Sequence, residues 1–207
     1  MFTFYGEKGK QAVNDELSTC KLFKNSSVVP SRSYELWLIK WLGKDKTWKL
    51  LFRASEHEYK ASEFHKYCDN KGETVTIIKH KGHGKYKNIF GGYTNNNWDS
   101  ENDCKSYSKE FLFTLSNEHG ILPTKYNYIS RNTQYGIFCG FSFGPVFGAG
   151  TDIYISDQCH TNNYSYCNAC YYGEVNTYQQ SKLFVNTESS KCENHFIVED
   201  YEVWGRE

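Results

Sequence analysis

Short runs rich in β-branched and aromatic residues, separated at close intervals by glycine, asparagine and proline, leave this chain few architectures. ETVTIIK at 73–79, the run from Lys87 to Thr94, and EFLFTL at 110–115 read as strands. So do Trp48 to Arg53, Lys125 to Ile129, Tyr135 to Phe143, Thr151 to Ile155 and Phe196 to Trp204. Aromatic residues make up 17% of the chain, and rings pack well on pleated surfaces, which strengthens the reading. Many strands with few helices between them predict two packed antiparallel sheets rather than a parallel α/β fold. The expected class is a β-rich α+β domain, a two-sheet β-sandwich with a few flanking helices.

Two helices interrupt the strands. YELWLIKWL, after a Ser33 cap and before Gly43, is apolar around nearly its whole circumference, which predicts a buried helix. Ala61 to Tyr67 is a second short helix, with Phe64 and Tyr67 at helical spacing. In the last strand the apolar and acidic residues do not sort onto one face, so both faces are expected to be covered. Residues 1–25 read as a polar N-terminal extension and residues 26–207 as one domain, a size that buries a substantial core.

Charge narrows the function. The 24 basic and 24 acidic side chains balance, whereas phosphate binding needs a basic surplus on one face; no nucleic-acid partner is expected. The cluster Lys79, His80, Lys81, His83, Lys85 and Lys87 lies on a glycine-punctuated stretch and reads as a solvated hairpin loop. No apolar run reaches bilayer length and no signal-peptide pattern opens the chain, which predicts a cytoplasmic protein without membrane insertion. Its eight cysteines are then expected to remain thiols.

Several motifs carry possible chemistry. His65 and Cys68 stand at i, i+3, so a base and a thiol share one helix face; a thiol enzyme or peroxide scavenger would use them, and packing explains them equally. Cys167-Asn-Ala-Cys170 with Cys192-Glu-Asn-His195 has a spacing that tetrahedral zinc accepts, and Cys159 could replace one member. The alternative is a set of loop thiols that never meet. Glu199, Asp200 and Glu202 cluster on the last strand, and a buried Glu202 bonded to Arg53 or to backbone amides would account for them without catalysis. Gly91-Gly92 inside a strand marks close approach, with Trp98 expected to fold over it; the nucleotide-binding pattern GxxxxGK[ST] is missing. Gly144-Pro145 and Gly148-Ala149-Gly150 read as turns, leaving Asp152 to cap one of them.

Four segments carry a resemblance. They are the stretch from Trp48 to Lys79 (WKLLFRASEHEYKASEFHKYCDNKGETVTIIK), FGGYTNNNW at 90–98, GPVFGAGTDIYI at 144–155 and FIVEDYEVW at 196–204. In that order they resemble the TLDc domain of oxidation-resistance proteins. The resemblance implies a β-sandwich with edge helices and a non-enzymatic interaction module. It also implies a role in oxidative-stress resistance and, in some relatives, binding to the vacuolar proton pump (V-ATPase). It implies no catalytic residues, cofactor or metal, and the cysteine and histidine set above departs from the family pattern.

Overall fold

The structure is a computed structural model that describes residues 22–82, 88–106, 109–117, 120–128, 135–148, 152–168, 172, 184 and 194–207. Twelve strands form two six-stranded sheets among these residues. The first contains β1 (Trp48–Arg53), β12 (Val198–Arg206), β2 (Thr74–His80), β3 (Ile89–Thr94), β5 (Phe111–Ser116) and β6 (Thr124–Asn127), in that spatial order. The second runs β11 (Asn194–Phe196), β10 (Ser165–Cys167), β9 (Ile153–Tyr154), β8 (Val146–Phe147), β7 (Ile137–Cys139) and β4 (Asp103–Lys105). Every strand pair within the sheets is antiparallel. The fold is the expected two-sheet sandwich.

Alternation along the first sheet sends side chains into two separate apolar layers. Ile78, Phe90, Leu112 and Val203 face the second sheet and pack with Phe147, Ile153 and Ile155. Val75, Ile77, Phe113 and Trp204 face the other way, against Leu38, Ile39 and Leu42 of helix α1 (Arg32–Leu42) and against Leu22, Phe23 and Val28. A strand buried on both faces cannot show a polar–apolar alternation. That is why β12, with Val198 to Gly205 all at least partly covered, reads as unsorted in the sequence.

Helix α1 departs from expectation in two respects. It starts two residues earlier, with Ser31 rather than Ser33 at the N-cap, and it buries one face rather than its whole circumference; it ends against Gly43 as read. Each fully buried Leu or Ile contributes about 1.5–3 kcal/mol, so the helix docks by Leu38, Ile39 and Leu42. One sheet covers one side of a helix. Trp37 and Trp41 therefore lie half-buried at its margin, 5.7 Å apart between ring centres, with Trp41 5.9 Å from Phe113. Helix α2 (Ala61–Cys68) falls where the sequence placed it, between β1 and β2. Strands β4, β8, β10 and β11 escaped the sequence reading; at two or three residues each they are too short for periodicity to register, and Phe196, read as the start of the last strand, belongs to β11 of the second sheet.

Candidate functional site

The acidic cluster of β12 resolves into a clamp. Glu202 is fully buried, and its carboxylate accepts hydrogen bonds from Arg53 Nε (2.9 Å), the Ser27 amide (2.8 Å), the hydroxyls of Ser26 (2.5 Å) and Ser27 (3.0 Å), and Trp204 Nε1 (3.0 Å). Asp200 accepts from the Ser55 amide (3.0 Å) and the Ser55 hydroxyl (2.8 Å), and the one Ser27 hydroxyl proton is shared between Glu202 and Asp200, whose Oδ2 lies 3.2 Å away. Arg53 also donates to the Asn25 carbonyl (2.6 Å) and pairs with Glu56. A carboxylate taken out of water needs such a full set of donors. The cluster thus fastens residues 25–29 and the turn after β1 to the central strand, as the structural reading of the sequence expected. Glu199 stands apart and pairs with Lys79 at 2.8 Å.

His65 and Cys68 lie on one helix, yet the structure does not assemble them into a nucleophile and base. His65 Nδ1 bonds Asp69 Oδ1 at 2.9 Å, and Nε2 bonds the carbonyls of Gly140 (2.9 Å) and Phe143 (3.0 Å). Both nitrogens are committed: Nδ1 to Asp69 at the helix's own C-terminal end, and Nε2 to tying α2 to the turn between β7 and β8. Asp157 Oδ1 accepts from the Ala61 amide (2.7 Å) and holds the other end of the helix. Cys68 is fully buried, and that burial, with the nearby Asp69 charge, pushes its thiol well above the ordinary range. A thiolate is the reactive form, so the environment works against chemistry here.

The loop-thiol and zinc readings need correction on the residues that are described. Cys159 and Cys167 are not exposed; both are fully buried between the sheets. Burial pushes Cys159 up to about 12, and Cys139 likewise. Cys167 on β10 lies opposite Asn194 of β11, while Tyr166 lies opposite His195. Neighbouring residues on a strand point to opposite faces, so Cys167 enters the core and His195 turns outward to bond the Asn163 carbonyl at 3.0 Å. Those two cannot share one metal. Cys170 and Cys192 lie outside the described residues, as do His83, Lys85 and Lys87 of the basic cluster.

The glycine pair is structural, with one change of partner. A Cβ on Gly92 would sit 2.6 Å from the Phe147 ring, and one on Gly91 would sit 2.0 Å from the Thr76 carbonyl oxygen. Phe147 of the second sheet, rather than Trp98, covers the gap. Trp98 packs edge-on against Phe147 at 5.5 Å and donates from Nε1 to Thr74 Oγ1 at 2.8 Å. Gly148 has φ +73° and leaves room for the Asp152 carboxylate, which accepts from the Tyr172 amide at 3.3 Å.

Among the described residues, one of two open grooves has walls that are mostly apolar. This groove of about 360 Å³ runs between the N-terminal half of α1 and the described residues 115–117 and 120–123, with Tyr34, Trp37, Leu115, Ile121, Leu122 and Pro123 in its walls. Leu122 is 73% exposed and Ile121 44%, two adjacent apolar side chains at the edge of the groove. Lys40 Nζ lies 4.7 Å from the Trp37 ring centre, and Lys125 Nζ lies 4.1 Å from that of Phe111.

The family model of the TLDc domain matches residues 22–207. The chain belongs to the TLDc domain family. No curated protein matches it. The segments that carried the resemblance are the ones that build the middle of this TLDc fold. Trp48 to Lys79 supplies β1, α2 and most of β2, Phe90 to Trp98 supplies most of β3 and the buried Trp98, and 144–155 supplies β8 and β9. The C-terminal segment adds the Glu202 clamp on β12. The TLDc groove was not read from the sequence. Its signal was present in Tyr34, Trp37 and Trp41, at i, i+3 and i+7 on one stripe of α1. Among the described residues no helix is long and apolar enough to cross a membrane.

Proposed function

We propose that this TLDc domain is a non-enzymatic protein-interaction module of the cytoplasm that supports resistance to oxidative stress by binding the soluble sector of the V-ATPase. The observation that carries the reading is the use of the polar groups. Glu202, Asp200 and His65, the residues best suited to catalysis by type, spend their hydrogen-bonding capacity holding the fold, while apolar side chains stand exposed beside α1. An interaction module needs a rigid frame and a few exposed anchors, and aromatic side chains serve that role well. Membership of the TLDc family supports the pump and stress assignments by analogy.

The test has two arms. Immobilised domain is incubated with purified soluble-sector pump subunits, and pump ATPase activity is followed as domain is added. Saturable capture together with a change in activity is expected; neither effect at any domain concentration sinks the pump assignment. In the second arm, cells expressing the domain are challenged with peroxide. Protection is expected to survive replacement of Cys104 by serine, and its loss in a folded variant would move the reading to thiol chemistry.

A further inference from the structure

The open groove has a recognisable chemistry, and this inference rests on the interaction-module reading above. Its apolar wall combines half-buried Tyr34 and Trp37 with exposed Ile121 and Leu122. Aromatic side chains of this kind carry a large share of binding energy when a partner dries them. The nearby cations are Lys40, one turn beyond Trp37 on α1, and Lys125, two residues after the groove residue Pro123.

Both cations rest on rings rather than on carboxylates. Among the described residues neither Lys40 nor Lys125 forms a salt bridge; each lies over an aromatic face. Lys125 is also pushed below the usual lysine range by burial alone, with no neighbouring carboxylate offsetting it. Elsewhere among the described residues Lys46, Lys60, Lys66, Lys79 and Lys105 have acidic partners, while Lys24, Lys49, Lys71, Lys81 and Lys109, like Lys40 and Lys125, form no salt bridge. What distinguishes Lys40 and Lys125 is their place: one stands a turn beyond Trp37 and the other three residues after Leu122, so both flank the neighbouring exposed aliphatics Ile121 and Leu122.

We infer that the groove between α1 and residues 115–117 and 120–123 docks an acidic, leucine- or phenylalanine-bearing peptide segment of a partner protein. The apolar side chains of that segment enter between Trp37 and Leu122, and its carboxylates pair with Lys40 and Lys125. A partner carboxylate would favour the charged form of Lys125 and remove the penalty that burial imposes on it. The apolar wall supplies affinity, and the two lysines supply choice of partner and approach rate.

The probe is a fluorescein-labelled peptide in which pairs of leucine or phenylalanine alternate with pairs of glutamate, followed by fluorescence anisotropy. Two control peptides replace glutamate by lysine, or the apolar residues by serine. The acidic peptide should bind saturably and weaken as salt rises, and neither control should bind. The Lys40→Glu/Lys125→Glu protein should lose about tenfold or more in affinity, and so should Leu122→Asp; Leu122→Asp and Lys40→Glu alone should melt as wild type because those side chains are exposed, which separates lost binding from any loss of packing by the half-buried Lys125. Equal binding of the acidic and lysine peptides overturns the inference, as does unchanged affinity in both variants. Self-association abolished by Leu122→Asp would assign the groove to a second copy, and binding of anionic vesicles abolished by the lysine variant would assign it to a lipid surface; either overturns the inference. Pump capture that persists in both variants overturns this surface while leaving the proposed function intact. Peptide binding without pump capture does the reverse.

Discussion

Replacing Gly92 by alanine isolates a single contact between the two sheets. The backbone of Gly92 lies outside the left-handed region, so alanine meets no conformational penalty there. The whole effect must come from the added methyl, which would lie 2.6 Å from two atoms of the Phe147 ring and 2.8 Å from a third. Ordinary contact distance is about 3.5–4.0 Å, so the ring must retreat by roughly 1 Å. Phe147 is fully buried and packs edge-on against Trp98, which packs against Phe64, so its retreat strains a chain of rings. Overpacking of this kind costs about 1–3 kcal/mol. For a domain near this size each kcal/mol lowers Tm by about 2–4 °C, so a fall of roughly 2–12 °C is expected. Chemical denaturation and thermal melting measure it directly. The control is the double variant Gly92→Ala/Phe147→Leu, in which the smaller side chain yields the space. Its stability loss should fall short of the sum of the two single losses. An alanine variant that melts like wild type, or a double variant whose losses simply add, would refute the reasoning. Gly91→Ala should be worse than Gly92→Ala, because its methyl meets the Thr76 carbonyl oxygen of the backbone, which cannot swing aside.

Glu202→Gln should cost about 3 kcal/mol in urea unfolding, because it leaves Arg53 without its buried counter-charge; an unchanged midpoint would show that the clamp contributes nothing. Burial alone would raise Glu73, but hydrogen bonds from Lys46 and Arg206 outweigh it and hold its carboxyl below the ordinary 4.5. The stability this group contributes is therefore present above its unfolded value and is lost as pH falls through the lower folded one. The stability gap between wild type and Glu73→Gln should close over that acidic window, and a gap constant with pH would contradict the assignment. The buried thiols Cys68, Cys139, Cys159 and Cys167 should resist alkylation near neutral pH until denaturant is added, read by mass spectrometry of the labelled peptides. Labelling of Cys68 in the native state at the rate of a free thiol would reverse the conclusion about its environment.

Sequence alone determined the elements with a strong local signature. Trp48–Arg53 is a strand to the residue, and α2 and the glycine pair stand where residue type and spacing put them. The resemblance was legible for the same reason, since its motifs are the contiguous strands and turns of the central sheet. The pairing of Glu202 with Arg53 could also be anticipated, because a carboxylate amid apolar residues needs a partner. Tertiary structure decided what depends on segments far apart in the chain. Whether Cys167 and His195 meet turns on the register of β10 against β11, and a shift of one residue would turn one of the two side chains to the face of the other. That Phe147 rather than Trp98 fills the space over Gly92 is settled only when two sheets face each other. The groove belongs to the same class. The tryptophans of α1 read as core because their type is apolar. They stand half-open because one sheet can cover only one side of a helix, and that geometry is absent from any local stretch of sequence.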